Sequence, residues 1–175
     1  ALPWMHLSTR PDGNMRVCCT ANASSVGATN DKEHGGQVGV LRTESGKPAN
    51  LNNSNLMEAW NNDYMKNVRK QMLAGEKPPA CHTCYKIEDR GGVSRRLNER
   101  KRWGQNLTKP ALEFIDLRMS NLCNSKCMMC YPDSSSSLIK EYSRWEEELD
   151  FVPKNATEYE LFQWFDDKKI EELLE

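Results

Sequence analysis

The stretch CNSKCMMC places Cys123, Cys127 and Cys130 at C-x3-C-x2-C spacing, three thiols within eight residues. Thiolates are nucleophiles and soft metal ligands, so clustered cysteines point to disulfides, redox exchange or metal. Three is odd for disulfides and one short of a closed tetrahedral site. A wider group comprises the vicinal pair Cys18 and Cys19 and the CHTC knuckle with Cys81 and Cys84. Three readings compete for the Cys123 group. Spacing of i, i+4, i+7 is one stripe of a helix, which would make these thiols ordinary core residues. A structural zinc site would need a further Cys or His. An iron-sulfur cubane takes one terminal ligand per iron, so three thiolates leave the fourth iron open to a chelating small molecule.

The flanking elements favour a loop over a helical stripe. In ALEFIDLRMS, Ile115, Leu117 and Met119 alternate with Asp116, Arg118 and Ser120, the pattern of a β-strand. YPDSSSSLIKEYSRWEEEL reads as a helix from near Pro132, a residue suited to a first helical turn. The cysteines therefore sit between strand and helix. Near the start, WMHLST and NMRVCC flank RPDG, which predicts a hairpin over Trp4–Cys19 ending on two cysteines. Residues 20–53, rich in Asn, Gly, Ser and Thr, read as loop. Leu56, Trp60, Tyr64, Val68 and Met72 recur every four residues, an apolar stripe on one or two helices that Gly75 and Pro78-Pro79 end.

Composition limits what else the chain can be. It has 175 residues, 38% hydrophobic and 28% charged, with a mean hydropathy of -0.78, so its apolar core is modest and metal or disulfide staples are expected. No apolar run of membrane-spanning length and no secretory leader is found, which predicts a cytoplasmic chain with reduced thiols and no membrane partner. The net charge of -1 gives no global reason to expect nucleic acid. Residues 90–102 carry six basic residues and one acid but no interleaved aromatics, and read as a solvated helix face. His82 reads as a solvent-facing knuckle residue. Trp145, Phe162, Trp164 and Phe165 lie at helical spacings suited to a core or a partner surface. The opening ALPW and the closing KKIEELLE, which reads as mid-helix, lead us to expect a piece of a longer protein.

SNLCNSKCMMCYP resembles the signature loop of radical S-adenosylmethionine (SAM) enzymes, including the Asn after the first Cys. The resemblance implies that Cys123, Cys127 and Cys130 ligate a 4Fe-4S cluster whose open iron binds SAM. Met129 stands where the family usually has an aromatic beside the adenine. LPW, Gly13-x4-Cys18, LMEAWNNDYMKNVRKQMLAGEKPPAC and the Cys81–Cys84 knuckle are similar to the SPASM/twitch extension of those enzymes, which holds auxiliary clusters. It implies Cys18, Cys81 and Cys84 as ligands of one auxiliary cluster, with Cys19 or another group as the fourth. The later cysteines of the full SPASM pattern are absent after Cys84, which favours a single, twitch-like cluster. In the family this extension more often follows the catalytic barrel; here it precedes the Cys123 motif.

The expected architecture is α/β: the start of a radical SAM partial (β/α) barrel over residues 104–175, preceded by a small α+β hairpin-and-helix cluster module over residues 1–103. A six-unit barrel needs on the order of 180 residues, whereas 45 follow Cys130. The expected activity is therefore that of a radical SAM enzyme whose present stretch is not competent alone. Its partners would be SAM, an electron donor and a peptide or protein substrate. The competing expectation is a non-catalytic, zinc-stapled binding module.

Overall fold

The computed structural model describes residues 2–21, 38–104, 109–148, 161 and 171. Its chain divides into two compact units, residues 1–9 with 14–117 and residues 10–13 with 118–175.

The first unit is built on a short sheet. Strand β1 (His6–Thr9) pairs antiparallel with β2 (Met15–Arg16), Ser8 opposite Arg16 and Thr9 opposite Met15. On its other side β1 pairs parallel with β3 (Phe114–Asp116), His6 opposite Phe114 and Ser8 opposite Asp116, for the order β2-β1-β3. Because side chains alternate along a strand, this register puts His6, Ser8, Arg16, Phe114 and Asp116 on one face. Leu7, Met15 and Ile115 take the other, where Leu7 and Met15 are fully buried.

The predicted hairpin forms, but its first strand starts later than Trp4. Leu2–Met5 coil into a helical turn, α1, in which Pro3 suits the first turn, and all four residues are buried. The RPDG turn closes with Gly13 N donating to Arg10 O at 2.9 Å, and Gly13 takes the positive φ of 82° that other residues resist. The third strand is also shorter than expected, since its partner β1 ends at Thr9. Beyond it Leu117 and Met119 lie exposed.

Residues 38–51, expected as plain loop, do more than connect. Leu41 N donates to Met15 O at 2.8 Å and Met15 N to Ala49 O at 2.9 Å, satisfying the outer edge of β2. Val38, Val40, Leu41, Ala49 and Leu51 are buried there. The helical stripe splits in two: α2 (Leu56–Trp60), capped by Asn55 Oδ1, and α3 (Asp63–Leu73), capped by Asn62 Oδ1 accepting from Met65 N. Asparagine ends one helix and caps the next because its side chain replaces backbone partners. Leu56, Trp60, Met65 and Val68 face the core. His6 is buried too, and burial pushes its imidazole down to about 4 against the opposing pull of Asp116.

Two further helices close the unit, α4 (His82–Glu88) and α5 (Arg95–Trp103), the latter capped by Ser94. Arg96 grips both carboxylate oxygens of Glu88, Ser94 donates to the same group, and the guanidinium lies 4.5 Å from the centre of the Tyr85 ring. Burial works against ionisation of Glu88, yet the bonds from Arg96 and Ser94 win and hold its carboxyl below its ordinary value. A depressed carboxyl contributes stability above its unfolded pKa, and that contribution disappears as pH falls through the folded one. Glu88→Gln should therefore cost about 1–2 kcal/mol at pH 7 and less as acid is added. Urea titrations of both proteins down the pH scale test this: a constant difference would sink it.

In the second unit the chain after Arg118 runs without regular structure to a 3-10 turn, Ser136–Leu138, and then α6 (Ile139–Glu148). The helix predicted from near Pro132 thus begins at Ile139. The four serines at 134–137 lie before it, and two of their hydroxyls reach back to the cysteine loop, Ser135 donating to Ser125 O and Ser137 to Cys123 O. Tyr131, Tyr142 and Trp145 form a row of ring contacts, and Arg10 pairs with Asp133 at 2.7 Å. Phe162, Trp164 and Phe165 lie outside the described residues. No helix among the described residues is long and apolar enough to cross a membrane.

Candidate metal centres

All seven cysteines are free thiols, so the vicinal pair Cys18–Cys19 is not a disulfide. Cys18 follows β2, and the turn after it is closed by Ala21 N donating to Cys18 O at 3.1 Å. The CHTC knuckle is a 3-10 turn, Pro79–Cys81, running directly into α4, so Cys81 stands at the helix entry and Cys84 within its first turn. Pro78-Pro79 start this turn with fixed φ and no need of donors. Together Cys18, Cys81 and Cys84 line one pocket with Leu2, Met72 and Ala80. Cys19 is not part of that wall; it is half-buried, on the sheet side. His82 is half-buried, its Nδ1 without a hydrogen-bond partner.

Burial dominates the chemistry of the pocket. It pushes the Cys18 thiol up to about 11 and the Cys81 thiol up to about 12, each raised further by the neighbouring cysteines. Such thiols stay neutral at pH 7 unless a cation replaces the proton. Arg96, a pocket wall, favours the thiolate of Cys81. The basic segment read as a solvated helix face is therefore two-sided: Lys101 and Arg102 are exposed, whereas Arg96 reaches inward. The basic composition of that segment gave no sign of the difference, because the inward side is set by α4.

The second unit holds the other three thiols on an open loop. Cys123 and Cys130 are half-buried and Cys127 is exposed. The serine run holds the loop from outside: Ser137 donates to Cys123 O at 2.6 Å and Ser135 to Ser125 O at 2.6 Å. Asn121, fully buried, donates to Pro132 O at 3.2 Å and so ties the entry of the loop to its exit. Cys130 N donates to Cys127 O at 2.9 Å, a tight turn over Met128 and Met129. The backbone N–H of Ser125, 3.4 Å from Cys123 Sγ, holds that thiol below its ordinary range, ready for a metal. Met128, Met129 and Tyr131 project into solvent.

Both groups suit iron-sulfur ligation by donor type: soft thiolates, one set in a largely apolar pocket and one on an open loop. Among the described residues neither thiol trio draws together as closely as His6, Cys19 and Asp116, whose ligand atoms lie within 4.8 Å of one another. A single ion draws its ligands that close, while a cluster spreads its thiolates over several irons.

Neither curated proteins nor solved structures provide a match to the chain. The family comparison does: residues 1–85, which carry Cys18, Cys81 and Cys84, match the model of SPASM, an iron-sulfur cluster-binding domain.

Proposed function

We propose that the chain belongs to a radical SAM enzyme and carries two clusters. Residues 1–103 are an auxiliary-cluster module ligated by Cys18, Cys81 and Cys84, and residues 104–175 begin the catalytic barrel, where Cys123, Cys127 and Cys130 hold a 4Fe-4S cluster. The observation that carries the reading is the co-occurrence in one chain of a SPASM-matching segment and a C-x3-C-x2-C loop. When bound and reduced, such a cluster supplies one electron to the sulfonium of SAM, leaving methionine and a 5'-deoxyadenosyl radical that abstracts hydrogen from substrate.

The chain's own residues do the holding. Ser135, Ser137 and Asn121 fix the backbone of the loop so that three thiolates keep one geometry. Met129, exposed beside Cys130, offers a flexible apolar surface for the adenine. A peptide or protein is the proposed substrate and a cytoplasmic reductase the electron donor. A zinc-stapled module without catalysis is the competing reading, favoured by the tight C-x2-C knuckle at Cys81 and Cys84.

Anaerobic reconstitution tests both. The expected product is brown, contains iron and sulfide, and shows an EPR signal after reduction that SAM perturbs, since an amine nitrogen and a carboxylate oxygen enter the open iron's coordination. Colourless protein with stoichiometric zinc would establish the zinc module. A cluster signal indifferent to saturating SAM would remove the open site while leaving iron-sulfur binding in place.

A further inference from the structure

From the sheet face we infer a mononuclear metal site of the zinc class, formed by His6, Cys19 and Asp116 and separate from both cysteine trios. A ring nitrogen of His6, Cys19 Sγ and an Asp116 carboxylate oxygen all lie within 4.8 Å of one another. Ligands of one tetrahedral zinc stand about 3.3–3.7 Å apart, as bonds of about 2.0–2.3 Å require. Small side-chain movements suffice to bring the three onto a single ion.

The fold itself makes the juxtaposition. His6 on β1 and Asp116 on β3 share a sheet face two positions apart in the parallel register, and the turn after β2 brings Cys19 over that face. His6 is 1% exposed, and its Nδ1 has no hydrogen-bond partner, a costly state for a buried polar atom unless something else satisfies it. Cys19 and Asp116 are half-buried, so the site is reachable from solvent on one side. Asp116 is oriented from behind: Ser8 Oγ donates to its Oδ2 at 3.1 Å, and Arg16 Nη2 donates to Ser8 Oγ at 2.8 Å. Hydrogen bonding of that kind to a ligating carboxylate is what metal centres use to fix their ligands. One nitrogen, one sulfur and one oxygen form a borderline donor set, suited to zinc rather than to calcium or magnesium. Three protein ligands leave a fourth position for water or a small anion.

The assignment also separates the vicinal cysteines. Cys18 faces the pocket of Cys81 and Cys84, and Cys19 faces the sheet. In the resemblance reading Cys19 is a candidate fourth ligand of the auxiliary cluster; here it serves a different metal.

Cobalt(II) is the probe, since it takes zinc sites and reports thiolate ligation by a charge-transfer band. Iron-sulfur-reconstituted chain is titrated with Co2+ and compared with Cys19→Ser and Asp116→Asn, both at half-buried positions. About one equivalent of Co2+ should bind with a thiolate band. Ser8→Ala should weaken it about ten- to a hundredfold and each ligand substitution at least as much. Iron and sulfide contents should stay at the wild-type level in all three variants. If Asp116→Asn fails to fold, Cys19→Ser alone decides. The same Cys19-dependent band should persist in Cys81→Ser/Cys84→Ser, which keeps this test independent of whether the pocket takes iron. Loss of iron on Cys19→Ser would overturn the proposal by making Cys19 a cluster ligand, and so would a Co2+ titration identical in wild type and Cys19→Ser.

Discussion

Cys84→Ala is expected to abolish the auxiliary cluster while sparing the other, halving the iron if both centres are of equal size. Cys84 is 7% exposed at the back of a pocket whose other thiols, Cys18 and Cys81, burial holds in the protonated state. Two buried neutral thiols cannot hold a cluster when a third ligand is gone, because each must give up its proton to a charge that fewer ligands now share. Stability should follow. A group bound about a thousandfold above its dissociation constant contributes roughly 4 kcal/mol, so the variant should melt about 8–16 °C below the loaded wild type. Metal-free forms of the two proteins should differ by only about 1 kcal/mol, the cost of one small buried side chain. Cys127→Ala should do the converse, removing the cluster of the exposed loop and leaving the pocket loaded. Iron and sulfide analysis beside calorimetry checks the pair. Complete loss of iron from either single substitution would mean that the two groups share one centre.

Arg69→Ala should be the most damaging substitution away from the cysteines, at about 3–5 kcal/mol. Arg69 is 6% exposed; its Nε donates to Pro3 O at 2.6 Å and its Nη2 to Trp60 O at 2.9 Å, with the guanidinium 4.4 Å from the centre of the Trp60 ring. One side chain on α3 thus ties down α1 and the C-terminal carbonyl of α2, which has no partner within its own helix. Truncation leaves two buried carbonyls unsatisfied and strips the cation from an aromatic face. Arg69→Lys should recover only part of the loss, since an ammonium cannot present the planar fork that reaches both oxygens. Chemical denaturation of the metal-free chain gives the numbers; a loss under about 1 kcal/mol for Arg69→Ala would show that the carbonyls find other partners.

Much of the site was written in local sequence. The C-x3-C-x2-C and C-x2-C spacings mark candidate ligands because metal ligation demands particular residue types at short separations. RPDG marked its turn because Pro and Gly restrict or free φ irrespective of surroundings, and Asn55 and Asn62 act as caps through bonds made within three residues. Elements held by distant partners were less legible. The strand at Phe114–Asp116 was recognised by its alternation, but its partner, more than 100 residues earlier, and its length were set by where β1 ends. Residues 38–51 read as loop because Gly, Asn and Ser outweigh the VGVL at 38–41, whose burial depends on the open edge of β2.

The sequence by itself determined which residues could bind metal and how those within each local group are spaced, since that information lies within a few residues of chain. Tertiary structure alone decided which groups meet. It turned Cys18 and Cys19, adjacent in sequence, toward different surroundings, one to Cys81 and Cys84 and the other to His6 and Asp116. It also drew Arg96 out of a predominantly basic helix to the pocket wall. The physical reason is that register and packing are cooperative: a side chain's neighbours depend on pairings fixed by the whole sheet and by the helices over it, and no local pattern of residue types encodes them.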